Sequence, residues 1–292
     1  MTAQVEAFTQ HRSLLFAVAY RMIGMVADAE DLVQETFLRW QRALAEGEVI
    51  AAPKSWLTAV ITRLCIDHLR SARVRREEYV GPWLPEPLLT DTSGDPAEST
   101  ALTESLTLAF LVVLESLTPV ERAIFLLHDI FAYDFAEIAR IVDKSEANCR
   151  QLARRARAHI AERRPRHTSS PEERERLVGR FIAACQGGDL PGLIATLADD
   201  IVLRADGGGK ALAARRPLHG ASDVARFVLG ILKKAPEGMT LDFAMVNHEP
   251  AFIALDHGRP YSVVTLDIAD GRVRSIAIVA NPDKLGHLAR VG

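Results

Sequence analysis

Two all-α modules followed by an α+β domain is the fold class that the sequence predicts, and three observations carry it. Apolar residues recur at helical spacing through most of residues 1–76 and 101–166. An acidic, proline-rich stretch at 77–100 separates those two segments. Beyond residue 172, helix-periodic runs give way to β-rich ones punctuated by the turn signals His257-Gly258 and Asp270-Gly271.

The bulk properties bound the function classes. At 292 residues the chain is long enough for at least two cores. No run reaches the roughly 18 apolar residues of a membrane span, and MTAQVEAFTQHR lacks the apolar centre of a signal peptide, so a soluble cytoplasmic protein is expected. Cys65, Cys149 and Cys185 are scattered, so neither a disulfide framework nor a metal site is expected, and no cofactor is implied. The net charge of −3 hides strong segregation. Residues 145–166 hold seven arginines against Glu146 and Glu162, and 63–76 hold five against Asp67. Residues 77–121 hold nine acids and no Lys or Arg, and 172–292 balance 15 acids with 15 bases. Two basic modules, an acidic tether and a neutral domain follow from that pattern.

In the first module (1–76), DAEDLVQETFLRWQR predicts an amphipathic helix. Ala29, Leu32, Val33, Thr36, Phe37 and Trp40 form its buried stripe. Asp31, Gln34, Glu35 and Leu38, at i, i+3, i+4 and i+7, share the other face and are available to a partner. After the break at 46–53 a second helix begins, with Leu57, Val60, Ile61 and Leu64 as its core stripe. In the tether (77–100), Pro82, Pro85, Pro87 and Pro96 preclude a regular helix. Trp83 and its neighbouring leucines are too apolar for a solvated spacer and call for a docking site.

In the second module (101–166), Thr118-Pro119-Val120-Glu121 is a capping box with proline at the first helical position. Asp134 to Glu137 repeats the cap for a short helix through Ile141, Asp143-Lys144 makes a turn, and Ser145 caps the next helix. That is helix-turn-helix spacing. Cys149, Leu152, Ala153, Ala156 and Ile160 form the inner stripe of the last helix, which leaves Asn148, Gln151, Arg154 and Arg155 for base edges and phosphates. In the last segment (172–292), helices at 173–185, 190–197 and 222–234 precede strands at 240–247, 251–256, 261–268 and 272–280, read as an antiparallel meander.

Together these motifs resemble the extracytoplasmic-function sigma factors of the sigma-70 family: DAEDLVQETFLRWQRA with SWLTAVITRLCIDHLRSARVRR looks like region 2, and 117–160 looks like region 4. The resemblance implies that Asp31, Gln34, Glu35 and Leu38 bind the β′ clamp of core RNA polymerase. It implies contacts to the minus-ten element by Trp56, Arg63, Asp67, Arg70 and Arg73. For the minus-thirty-five element it implies Ser145, Glu146, Asn148, Arg150, Gln151, Arg154 and Arg155, with region 4 near the β flap. Three further strings resemble a subgroup with a fused SnoaL-like domain, a curved antiparallel sheet around a pocket for an unknown small ligand: Trp83-Leu84-Pro85-Glu86-Pro87, Asp206-Gly207-Gly208-Gly209-Lys210 and Asn281-Pro282-Asp283-Lys284-Leu285. By that resemblance they are interdomain regulatory residues, and the free protein is expected to be monomeric. A promoter-specificity subunit, not an enzyme, is the expected function. The alternatives are a ligand-sensing helix-turn-helix regulator, or a cyclase or isomerase using Asp206, His219, Asp242 and His248.

Overall fold

The computed structural model describes residues 2–77, 79–90, 102–103, 105–163 and 171–290; the side chains at 2–4, 72–77, 163, 171 and 289–290 fall outside that description. The chain divides into two compact units. One comprises Met1–Glu78, Pro96–Leu106 and Phe110–Arg164, and the other Tyr79–Asp95, Thr107–Ala109 and Pro165–Gly292. The tether is therefore split, with its WLPEP segment counted in the C-terminal unit.

In the first unit, α1 (Thr2–Ile23), α2 (Val26–Ala45) and α3 (Pro53–Glu77) pack through an apolar core that includes Leu15, Tyr20, Val33, Trp40, Leu57 and Ile61. The expected stripe of α2 is largely present: Ala29, Val33, Thr36 and Trp40 are buried, whereas Leu32 and Phe37 are only partly covered. Next come α4 (Leu108–Leu114), α5 (Pro119–Phe125), α6 (Phe135–Val142) and α7 (Glu146–Arg163). The Thr118 capping box forms in both directions, because the Thr118 hydroxyl accepts from Glu121 N while the Glu121 carboxylate accepts from Thr118 N. Asp134 caps α6, Asp143 turns the chain at φ 54° and the Ser145 hydroxyl accepts from Asn148 N, which completes the helix-turn-helix. Ile124, Leu127, Tyr133, Ile138, Ile141, Cys149 and Ala153 are its core. Between α5 and α6 lies a π-helical turn, Leu126–Ile130, that no composition signal announces.

In the second unit, α8 (Pro171–Gly187), α9 (Leu190–Thr196) and α10 (Ala221–Leu232) accompany a six-stranded sheet of order β2-β1-β6-β5-β4-β3. The strands are β1 (Leu197–Asp206), β2 (Leu218–His219), β3 (Thr240–Val246), β4 (Glu249–Asp256), β5 (Arg259–Ala269) and β6 (Arg272–Val279). The four expected strands form an antiparallel meander, but the sheet as a whole is mixed, because β1 runs parallel to β6 with Leu203 opposite Ile276 and Ala205 opposite Ile278. Asp199, Asp200 and Arg204 break the apolar alternation of β1, and its partner lies some 70 residues away, so neither the strand nor its direction is a local property. Leu177, Phe181, Leu193, Val224 and Val228 from the helices pack with Leu203, Leu266, Ile276 and Ile278 from the sheet. Two 3₁₀ turns, Pro282–Lys284 and Gly286–Arg290, end the described chain.

Candidate functional site

Helix α2 exposes the face that its spacing predicts. Asp31, Gln34 and Leu38 lie at the surface, Leu38 with 39% of its area open. Glu35 is partly covered and accepts from Arg39 Nε at 2.8 Å, one turn on. An amide, a carboxylate and an apolar side chain on one open stripe suit a basic partner surface with an apolar contact.

The residues expected on α3 are in three situations. Trp56 packs edge-on against Trp40 at 5.5 Å and donates from Nε1 to Glu48 Oε1 at 3.2 Å. Asp67 and Arg70 form an exposed pair at 3.3 Å, and Arg73 lies outside the described side chains. Arg63 turns toward the second helical module, where Nε and Nη2 donate to the carbonyls of Ile141 and Arg140 at 2.9 and 2.8 Å.

The recognition helix α7 is amphipathic in the expected sense, with Cys149, Ala153 and Ala156 buried. Ser145, Glu146, Asn148, Arg150, Gln151, Arg154 and Arg155 are all exposed. Glu146 holds Arg150 at 2.7 Å, and the Arg150 guanidinium also lies over the Phe135 ring at 5.3 Å. Arg157, not among the expected residues, is tied to Asp129 at 2.8 Å, at the π turn.

The three strings of the C-terminal unit meet on one carboxylate. Asp206, at the end of β1, is fully buried. Its Oδ1 accepts from Tyr79 Oη at 2.6 Å and from Gly208 N at 3.0 Å, and its Oδ2 accepts from Leu84 N at 2.9 Å. Lys284 Nζ lies 2.7 Å from Oδ2, donates to the Leu84 carbonyl as well, and sits 4.1 Å from the centre of the Trp83 ring. Four acceptor positions on a buried anion are thus filled by four donors, and the buried Lys284 ammonium is neutralised where it lies. Asn281 holds the third string: its backbone N donates to the Asp206 carbonyl at 2.9 Å, its Nδ2 to Tyr79 Oη at 2.8 Å, and its side chain caps the turn at Pro282. Asp283 pairs at the surface with Lys210 at 2.6 Å, and Leu285 is buried.

The glycines of the DGGGK loop are there because other atoms come too close for a side chain. A Cβ on Gly207 would lie 2.5 Å from the Ala211 carbonyl oxygen, and one on Gly208 2.3 Å from Asn281 Nδ2. Gly208 also sits at φ 57°. Beside this loop is a cavity of about 300 Å³, lined by Val80, Gly81, Gly207, Gly209, Ala213 and Arg215 among others.

Downstream, the segment continues as an added edge to β3. Leu89 bridges Val246, and the Leu88 carbonyl accepts from Asn247 N at 2.7 Å while Leu88 N donates to Asn247 Oδ1 at 2.9 Å. His287 Nε2 donates to the Pro87 carbonyl at 2.6 Å, and its Nδ1 is 2.8 Å from Glu86 Oε1. Burial alone would lower the His287 pKa, but the Glu86 and Pro87 acceptors together with the Glu86 charge outweigh it and raise it. Burial, and then the Asp206 hydrogen bond and charge, push the Tyr79 phenol above its ordinary value. Pro85 and Pro87 are buried in the same segment. Tyr79, Asn247 and His287 are the contributors that sequence reasoning missed.

The four residues of the enzyme alternative are not gathered. Asp206 is spent on the internal clamp that its four donors form, His219 lies on β2 at one edge of the sheet, and Asp242 and His248 lie on β3 and its turn at the other.

With this geometry in view, the sequence matches Sigma-70 region 2 over residues 7–75 and Sigma-70, region 4 over residues 107–160. It is 41% identical to the ECF RNA polymerase sigma factor SigJ of Mycobacterium tuberculosis, across 97% of this chain and 92% of that protein. The probable ECF RNA polymerase sigma factor SigI of the same organism is 34% identical, across 97% and 94%. The crystal structure of the extracytoplasmic function sigma factor SigJ aligns with a TM-score of 0.75 at 38% identity, covering 98% of both chains. Full-length similarity of this degree, on helices and strands placed alike, shows that the chain belongs to the extracytoplasmic-function RNA polymerase sigma factors of the sigma-70 family.

Proposed function

We infer that the chain directs promoter-specific initiation as a non-catalytic subunit, and that its C-terminal domain governs the activity in cis by seizing the tether. The open face of α2, Asp31, Gln34, Glu35 and Leu38, docks on the basic clamp of β′. Region 4 then lies near the β flap, where Asn148, Gln151 and Arg154 meet base edges and the flanking arginines meet phosphates of the minus-thirty-five element. Trp56, Arg63, Asp67, Arg70 and Arg73 face the melted minus-ten strand, where stacking and phosphate pairing stabilise unpaired bases.

One observation carries the regulatory part: residues 79–90, which join region 2 to region 4, run against the C-terminal domain and are gathered by Asp206, Lys284 and His287. A tether held this way has fewer free residues, which narrows the separations its two modules can sample. Transcription with purified polymerase tests the reading. Full-length protein, a truncation lacking 172–292 and Trp83→Ala should give three different promoter outputs. Identical outputs from all three would make the domain a passenger.

A further inference from the structure

Helix α3 has two faces of different chemistry. Leu57, Ile61, Cys65 and Leu69 are buried and apolar, the residue types of a permanent seam. Toward region 4 it presents Lys54, Thr58, Ala59, Thr62 and Arg63 instead. The Thr58 hydroxyl shares a hydrogen bond with Tyr133 Oη at 2.8 Å, Lys54 Nζ lies 5.4 Å from the Tyr133 ring centre, and Ala59 packs against the helix-turn-helix core. Thr62, one turn beyond Thr58, is fully buried, and its hydroxyl finds no hydrogen-bond partner among the described residues. Arg63 finishes the row by capping the last turn of α6.

The capping is reciprocal. Arg122 of α5 is buried, donates from Nη1 to the Met22 carbonyl in the last turn of α1, and pairs with Glu115 at 2.7 Å. Each module thus places a guanidinium on the electronegative end of a helix in the other.

Two physical arguments say that the α3 side of this contact is built to part. Hydroxyls, a phenol and a guanidinium recover hydrogen bonds from water on separation, and Thr62 gains one, so opening forfeits little of the apolar burial that a leucine seam would forfeit. Moreover, the acceptors of Arg63 are carbonyls with partial charge, whereas a phosphate offers full charge and a bidentate fit. A nucleic-acid backbone outcompetes them.

We propose that α6 and Tyr133 form a reversible cover over the DNA-facing side of α3, and that Arg63 serves two states in turn. In the closed state it caps α6, and in the open state it binds the phosphate backbone of the minus-ten strand. Thr58 and Tyr133 act only in the first state, as positioning residues. The proposal rests on the assignment of α3 to the minus-ten strand made above.

The test uses the full-length chain with a dye pair at Ser71→Cys and Lys144→Cys, both exposed positions, and holoenzyme binding to a single-stranded minus-ten oligonucleotide. Tyr133→Phe and Thr58→Val should lengthen the dye separation in the free chain and speed holoenzyme assembly severalfold, with oligonucleotide affinity unchanged. Arg63→Ala should lengthen the separation likewise, but weaken the oligonucleotide on the order of tenfold, as loss of a charge-assisted hydrogen bond would. Arg63→Lys, which keeps the charge without the fork, should fall between. A separation unmoved by all four variants would overturn the cover, and an oligonucleotide affinity indifferent to Arg63→Ala would overturn the shared residue. If wild-type holoenzyme ignores the oligonucleotide while the separation still responds, it is the minus-ten assignment that has failed.

Discussion

Asp206 shows how much one side chain can organise. Three of its four donors come one each from the three strings and the fourth is Tyr79, so the set spans more than 200 residues, and the buried Lys284 ammonium has this carboxylate as its counter-charge. Asp206→Asn should therefore cost the C-terminal unit about 3–5 kcal/mol, the usual penalty for stranding one partner of a buried pair, read as a lower denaturant midpoint for that unit. Gly208→Ala should be nearly as disruptive locally, because its methyl group would overlap Asn281 at a backbone angle that alanine resists. A shift of the Trp83 emission maximum, with the helical signal unchanged, would report that local release. The three strings were legible in the sequence through a family resemblance. Tyr79, Asn247 and His287 were not, because an isolated tyrosine, asparagine or histidine acquires its meaning only from the fold that brings it to a partner.

Among the elements, helices were more legible than strands. Caps and 3.6-residue periodicity are local, so α2, α5, α6 and α7 lie close to where Thr118, Asp134, Ser145 and the α2 stripe put them. By contrast, β1 and β2 went unseen: one interleaves charges with its apolar residues, and the other is two residues long and has no pattern of its own. Helix α2 gives a prediction in which function and stability separate. Asp31→Arg should abolish polymerase capture in a pull-down while moving the melting temperature by no more than a degree or two, since exposed charges contribute little to folding. The 3₁₀ turn carrying His287 gives another. Its pKa is raised in the folded state, so the stabilisation is fully present below the unfolded value near 6.5 and fades as pH climbs through the folded value. Amide exchange at Leu88 to Thr90 should accelerate from pH 6 to 8 beyond the intrinsic rate, and His287→Ala should erase that excess.

On the scale of the whole molecule, the fold reading was right about two helical modules and an α+β domain, and Tyr79–Asp95 of the expected tether is counted with the C-terminal unit. Composition announced that Trp83 and its leucines need cover, but not which surface supplies it; that depends on the fold giving Leu84 and Glu86 a place to be buried. Removing residues 172–292 would leave Trp83, Leu84 and Leu88 without their cover, and the truncated chain should bind an environment-sensitive apolar dye that the intact chain does not. The clamp also has an order in time. Region 2, the strap and region 4 all leave the ribosome before Asn281, Lys284 and His287 exist, so every newly made copy passes through a stage in which its sigma modules are complete and its strap is unheld. A chain clipped after Ala280 would stay at that stage permanently, keeping every described strand of the sheet but losing the lysine and the histidine that close on the strap. Control of this protein by Asn281, Lys284 and His287 would then be a matter of synthesis and proteolysis as much as of binding.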